Sequence, residues 1–385
     1  NEDGSSDLIA QSGVKRSVLL HNPNEIIAYP LTSSTDYILY QNGYPTGRGI
    51  WALPVNSSLE PTGKPILVAE QGNLPSISRD GTLLYHASGN DKLASVDRNG
   101  RVTGMIGQPQ EKIFIPVFSP DGKRVAVPGL EQGRFDIWVH DVDRATKRAL
   151  THDSNPDWSP DWSPEGDRIV FQRIHEQTGD ESLYVISVDE ENQPQPLVDT
   201  PQDERGPNWS SNGRYIIYQA RGADTGWDIW YLPMVDNMQP ALFLDTPHDE
   251  TGGVLSPDEG YLAYTSDETG IPEIYVVQFP SGLGKKKASI DGGRWPRWSS
   301  RRDELFYVDV EENTLMSVSV SMEQTLEIDT PRLLFDGNSI GARLGDNTLS
   351  YYDVAPDGQH FVVVQNMASS SLIMVENWTK LLEEK

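Results

Sequence analysis

Three carboxylates recur at one phase of this chain. Asp153 lies in His152-Asp-Ser-Asn-Pro-Asp157, Asp203 in Thr200-Pro-Gln-Asp-Glu-Arg205 and Asp249 in Thr246-Pro-His-Asp-Glu250. Glu204 and Glu250 follow the last two directly, and Asp291-Gly-Gly-Arg-Trp-Pro-Arg297 contributes Arg294 and Trp295 at the next such point. Gathered round one mouth, these acids would hold a cation, a basic peptide or a small cationic ligand, with Trp227 and Trp295 as aromatic walls. The plainer role is turn capping, because Asp side chains accept hydrogen bonds from nearby backbone N–H groups. His152 and His248 share equivalent positions and His175 sits in a loop expected on the same face, so converging imidazoles would make a transition-metal site. Exposed loop histidine is the alternative for all three.

Other chemistry is poorly supplied. There is no Cys among the 385 residues, which excludes disulfides, thiol catalysis and zinc thiolates. No P-loop, dinucleotide fingerprint or His-Glu-x-x-His occurs. The net charge of −26 argues against a nucleic-acid partner, which needs clustered Lys and Arg. The one basic run, Lys285-Lys-Lys287, reads as a solvated hairpin tip. No apolar stretch approaches the ~20 residues needed to span a bilayer, so no membrane insertion is expected. No cofactor is called for, apart from Ca2+ or a transition metal at the acidic mouth.

The elements that must position these residues come from a repeat. Phe118-Ser-Pro-Asp-Gly122, Trp162-Ser-Pro-Glu-Gly166, Trp209-Ser-Ser-Asn-Gly213 and Leu255-Ser-Pro-Asp-Glu259 are variants of one turn. Weaker copies put the same turn position at Asp36, Gly81, Arg302 and Gly358, with copies about 45 residues apart. Pro and Asp suit the early turn positions and Gly supplies the positive φ. Short runs such as Arg168-Ile-Val-Phe171 and Asp228-Ile-Trp-Tyr231 then read as strands. The expected fold is an all-β, single β-propeller of four-stranded antiparallel blades, eight in number, with seven as the alternative. The last copy has three strands, ending with Ser371-Leu-Ile-Met-Val375, and Arg16-Ser-Val-Leu-Leu20 is spare. Pairing the spare strand there would close the ring and remove open sheet edges. Residues 1–14 are read as a frayed polar segment and 15–380 as the propeller domain.

These stretches resemble the TolB-type, WD40-like propeller of the PD40 repeat group. The likeness rests on Leu93 to Gly100, Phe118 to Val127, Thr225 to Pro233, Tyr264 to Gly270 and Asn377-Trp-Thr379. It is similar in particular to the extracytoplasmic propellers of bacterial eukaryotic-type Ser/Thr kinases and related membrane regulators. The resemblance implies a rigid platform for a protein or peptide partner in a periplasmic or extracellular setting, without implying catalysis. A non-enzymatic binding module with an acidic channel face is therefore the leading expectation. The alternatives are a metal-dependent lyase or hydrolase at the central channel, and a structural subunit of a larger assembly.

Overall fold

The computed structural model describes residues 6–382 apart from 13–14, 23–26, 33–35, 43–48, 71, 79, 88, 132–133, 191–192, 223–224, 236–237, 302, 323–324 and 368–370. The expected turn position Arg302 and loop residues 223–224 thus fall outside the described residues. Regular structure is antiparallel sheet throughout, with two short 3-10 turns at Asn338–Ile340 and Trp378–Leu382. Among the described residues no helix is long and apolar enough to cross a membrane.

Where the repeat suggested one domain over 15–380, the chain divides into two compact units. The larger comprises Asp91–Gly129 and Phe135–Asn366 and contains six sheets. Three of these follow the chain strand by strand. One runs Asp157–Trp162, Arg168–Ile174, Glu181–Ser187, Gln195–Val198. The next runs Glu204–Trp209, Tyr215–Arg221, Trp227–Pro233, Ala241–Leu244, and the third starts at Glu250–Leu255. This is the expected four-stranded blade order.

The repeated serine explains the hairpin that opens four of these sheets. Ser119, Ser163, Ser210 and Ser256 are buried. Their hydroxyls accept the N–H groups of Arg124 (2.9 Å), Arg168 (3.0 Å), Tyr215 (2.9 Å) and Tyr261 (3.1 Å), five residues on. Their carbonyls accept the turn N–H of Gly122, Gly166, Gly213 and Glu259. A buried backbone group therefore has a partner at each of these four turns. The aromatic residue before the serine packs between sheets. Trp162 joins Ala126, Ile137 and Phe171 in one core cluster, and its Nε1 donates to Val117 O at 3.1 Å.

Closure differs from the expectation. His360–Asn366 pairs along its full length with Asp91–Asp97, from His360 opposite Asp97 to Asn366 opposite Asp91. The strand meant to close the ring, around Arg16–Leu20, instead lies in Lys15–Asn22 and pairs with Ser6–Ser12. Ser6–Ser12 is thus a strand, although the sequence placed it in a frayed segment. Ser371–Val375, expected in the last blade, pairs with Leu83–Ala87. The third strands of two copies have been exchanged. Both are short strands with apolar centres, so the sequence alone does not say which second strand each will join. The eight-blade count falls with this exchange: six sheets close through Asp91–Asp97, and the copies at Asp36 and Gly81 belong to the smaller unit.

That smaller unit holds the two-stranded Ser6–Ser12 pair, a four-stranded sheet from Ile27–Thr32 to Ile66–Glu70, and the three-stranded sheet of Gly72–Ile77, Leu83–Ala87 and Ser371–Val375. Its core gathers Leu39, Ile50, Leu83 and Trp378. Tyr37 meets the Trp378 ring edge-on at 5.7 Å.

Candidate functional site

Four of the first strands in the six-sheet unit share a distortion. Register shifts fall between Trp158 and Asp161, Arg205 and Asn208, Thr251 and Val254, and Arg294 and Arg297. At each shift one residue has positive φ: Ser159 (47°), Gly206 (56°), Gly252 (62°) and Trp295 (61°). Such bulges bend a strand and re-aim its side chains. Trp295 pays for the conformation with anchors, as its Nε1 donates to Asp346 O at 2.9 Å and its carbonyl accepts Tyr352 Oη at 2.7 Å. Gly345 permits this, since a Cβ there would stand 2.9 Å from Trp295 Cδ1.

Two residues beyond the four bulges stand Asp161, Asn208, Val254 and Arg297, and Val117 and Asp353 hold the same place, directly before the apolar residue of the turn motif, in the other two sheets. All six line a cavity of about 740 Å³. Its wall runs from Glu181 and Arg205 near strand starts to the turn residues Pro120, Pro164 and Pro356, so it follows the length of the first strands. Convergence of the first strand of every sheet on one channel is the defining geometry of a β-propeller.

The ring is a polar network set in apolar surroundings. Asp161 Oδ2 accepts Asn208 Nδ2 at 3.1 Å and the Trp209 backbone N–H at 2.5 Å. Asp353 accepts the Phe118 N–H through Oδ2 at 2.8 Å and Arg297 Nε through Oδ1 at 3.2 Å. Burial pushes Asp161 up to about 7, helped by the charge of Asp353 and opposed by the Trp209 N–H and Arg297. Asp353 is also raised by burial, against the pull of Arg297. Higher in the channel Glu181 grips Arg205 through both carboxylate oxygens. Gln172 Nε2 donates to the same carboxylate at 2.8 Å.

Of the residues singled out from sequence, only Trp295 lines this cavity. The others serve the blade junctions. Asp153 pairs with Arg173 Nη2 at 2.8 Å and accepts the Asn155 N–H at 2.9 Å. Asp203 accepts the Glu181 N–H at 3.3 Å, and Asp249 accepts the Trp227 N–H at 2.9 Å. Glu204 and Glu250 are each 1 % exposed and bond to Thr200 Oγ1 and Thr246 Oγ1. Burial pushes Glu204 up to about 7 and also raises Glu250. Trp227 lies under the guanidinium of Arg205, 4.4 Å from the ring centroid. Arg294 is lowered by burial, against the nearby acids Asp267, Asp249 and Asp346. The turn-capping role is the one these bonds display.

The histidines do not converge. His248 Nδ1 stands 3.7 Å from Asp267 Oδ1, and the His175 ring packs edge-on against Tyr184 at 5.9 Å. Among the described residues no group of three or more His, Asp or Glu side chains could hold a metal ion, so His152, His175 and His248 form no such site. Sequence reasoning missed the ring of Asp161, Asn208, Arg297 and Asp353. The signal was present: each residue immediately precedes the turn motif.

These features define the six-sheet unit as a β-propeller with a lined channel. Residues 83–226 match the family described as the TolB beta propeller domain, PD40. The Tol-Pal system protein TolB of Anaeromyxobacter dehalogenans strain 2CP-C is 31% identical over 121 residues, covering 29% of this chain and 27% of that protein. The protein of the same name from strain 2CP-1 matches with the same figures. The chain thus spans about a quarter of the length of the curated relatives it matches. A TolB candidate from Agrobacterium tumefaciens, solved as a structure, superposes with a TM-score of 0.57 at 17% identity, covering 73% of this chain and 99% of that one. The match to the TolB-type family thus lies in residues 83–226, and the likeness to the solved structure is one of fold.

Proposed function

We propose that this chain is a non-enzymatic protein-binding platform whose channel takes up a segment of a partner protein. The observation that carries the reading is the cavity of about 740 Å³, walled by Trp158, Trp295 and prolines and crossed by a polar ring. Concave, largely apolar sites with a few placed polar groups are where ligands bind, and a rigid scaffold presenting them loses little entropy on binding. The name of the curated relatives, Tol-Pal system protein, favours a role within a protein assembly over catalysis. It also supports, with the resemblance to extracytoplasmic propellers, a location outside the cytoplasm.

A photo-crosslinking amino acid tests this. Thr348 is exposed and lines the cavity, whereas Ala145 is exposed on a hairpin away from it. In cells, the probe at Thr348 should yield an adduct of one discrete mass and the probe at Ala145 none. Equal labelling from both positions, or none from Thr348, would remove the channel as the binding site.

A further inference from the structure

We infer that the channel seats the ammonium group of a partner's lysine side chain against Asp161. This rests on the protein-binding reading above and assigns the chemistry of the occupant.

The charges along the cavity carry the argument. Five ionisable side chains line it: Asp161, Glu181, Arg205, Arg297 and Asp353. Glu181 is matched to Arg205, and Asp353 to Arg297. Asp161 remains. It is 9 % exposed and has no ion-pair partner among the described residues. A buried carboxylate without an ion pair of its own is costly, and here it holds a proton more readily although the Arg297 charge stands nearby. A cation delivered to this point would supply what the fold leaves out.

The geometry selects lysine over arginine. The hydrogen bonds from Asn208 and Trp209 both land on Oδ2, and Oδ1 is the oxygen assigned to an incoming donor. A guanidinium binds best through two parallel bonds to two free oxygens, whereas an ammonium is a point charge satisfied by one. The rest of the wall suits the stem. Trp158, Pro160, Pro207 and Trp295 offer apolar surface to a four-carbon chain. Bulged strands with Gly206, Gly252 and Gly253 keep that side of the channel free of side-chain bulk.

Binding should then be coupled to protonation. The groups facing Asp161 are Asp353 from Tyr352–Val354, Arg297 from Arg294–Trp298 and the neutral Asn208 from Glu204–Trp209. An arriving ammonium needs the ionised carboxylate. With Asp161 poised near about 7, the ionised fraction, and with it the affinity, rises about tenfold from about pH 6 to about pH 8.

The test titrates the intact chain with acetyl-Gly-Gly-Lys-Gly-Gly-amide, its norleucine counterpart and n-pentylamine, read by tryptophan fluorescence. The lysine peptide should bind saturably, the norleucine peptide at least about tenfold more weakly, and affinity should rise with pH as stated. Asp161→Asn keeps an acceptor for the Trp209 N–H and should melt near wild type while losing the lysine preference. Equal binding of the lysine and norleucine peptides, or a flat pH profile in the wild type, overturns the inference without touching the crosslinking result at Thr348. If n-pentylamine binds as tightly as the peptide, the cation seat stands and the protein-partner reading falls.

Discussion

Asp353 Oδ2 accepts the backbone N–H of Phe118 at 2.8 Å, joining residues 235 positions apart. The bond ties the first strand of the closing sheet, Tyr352–Val354, to Val117–Phe118 of the neighbouring one. Asp161 makes the equivalent bond to Trp209. Acids in the channel ring are thus also staples between successive sheets. In Asp353→Ala the Phe118 N–H and the Arg297 guanidinium both lose a buried partner, and unfolding in urea should show a loss of about 3 kcal/mol. Asp353→Asn keeps an acceptor for Phe118 and should lose about 1 kcal/mol.

His140 sets acid sensitivity. Its side chain is 0 % exposed, and neither ring nitrogen has a hydrogen-bond partner among the described residues. Burial, with a smaller push from the Lys147 charge, lowers it from 6.5 to about 3. The folded protein therefore keeps the ring neutral, while the unfolded chain takes up a proton below the ordinary value. Stability from this group is present above about pH 6.5 and is lost as pH falls toward about 3. Asp157, raised to about 6, and Asp161 and Glu204, raised to about 7, act in the opposite sense over the upper part of that range. Comparing wild type with His140→Leu isolates the histidine. The stability difference should shift by about 2 kcal/mol in favour of the variant between about pH 7 and about pH 5.

Much of this architecture was legible because the turn motif is a local solution to a local problem. Ser163, Pro164 and Gly166 specify a hairpin whoever the neighbours are, so blade order from Asp157 to Leu244 could be read directly. Closure could not. Whether His360–Asn366 joins Asp91–Asp97 or another strand is decided across some 270 residues, and Asp91–Asp97 and Ser371–Val375 are both short runs with apolar centres that could follow a second strand. The junction acids drew attention because they stand in conspicuous polar loops. The channel ring was hidden by its dissimilarity: Val117, Asp161, Asn208, Val254, Arg297 and Asp353 share a position and no chemistry. A ring of unlike residues at one phase is what a site with directional chemistry requires, whereas identical acids at one phase, such as Asp203 and Asp249, serve the scaffold.

That contrast is testable at the junctions. The Trp227 N–H is held by Asp249, and the Glu181 N–H by Asp203. If these acids cap turns, the double variant Asp203→Ala with Asp249→Ala should lose about 2 kcal/mol of stability, one backbone partner at each site. Crosslinking from Thr348 should be unchanged at a temperature where both proteins are folded. A stable double variant that no longer crosslinks would return the binding site to the acidic junctions.

Glu259 occupies the turn position that Gly122, Gly166, Gly213 and Gly358 hold elsewhere, and it does so at φ 58°. A side chain in this region is strained, by about 1 kcal/mol relative to glycine. The compensation is Arg214, whose Nε donates to Glu259 Oε2 at 2.9 Å while Glu259 itself is 5 % exposed. Strain and ion pair nearly cancel, so Glu259→Gly should change stability by less than about 1 kcal/mol. Glu259→Ala keeps the strain and loses the pair, and should be less stable than Glu259→Gly by about 1 kcal/mol in thermal unfolding. The reverse order would mean that the turn at Ser256 does not need the conformation that glycine supplies in the other copies.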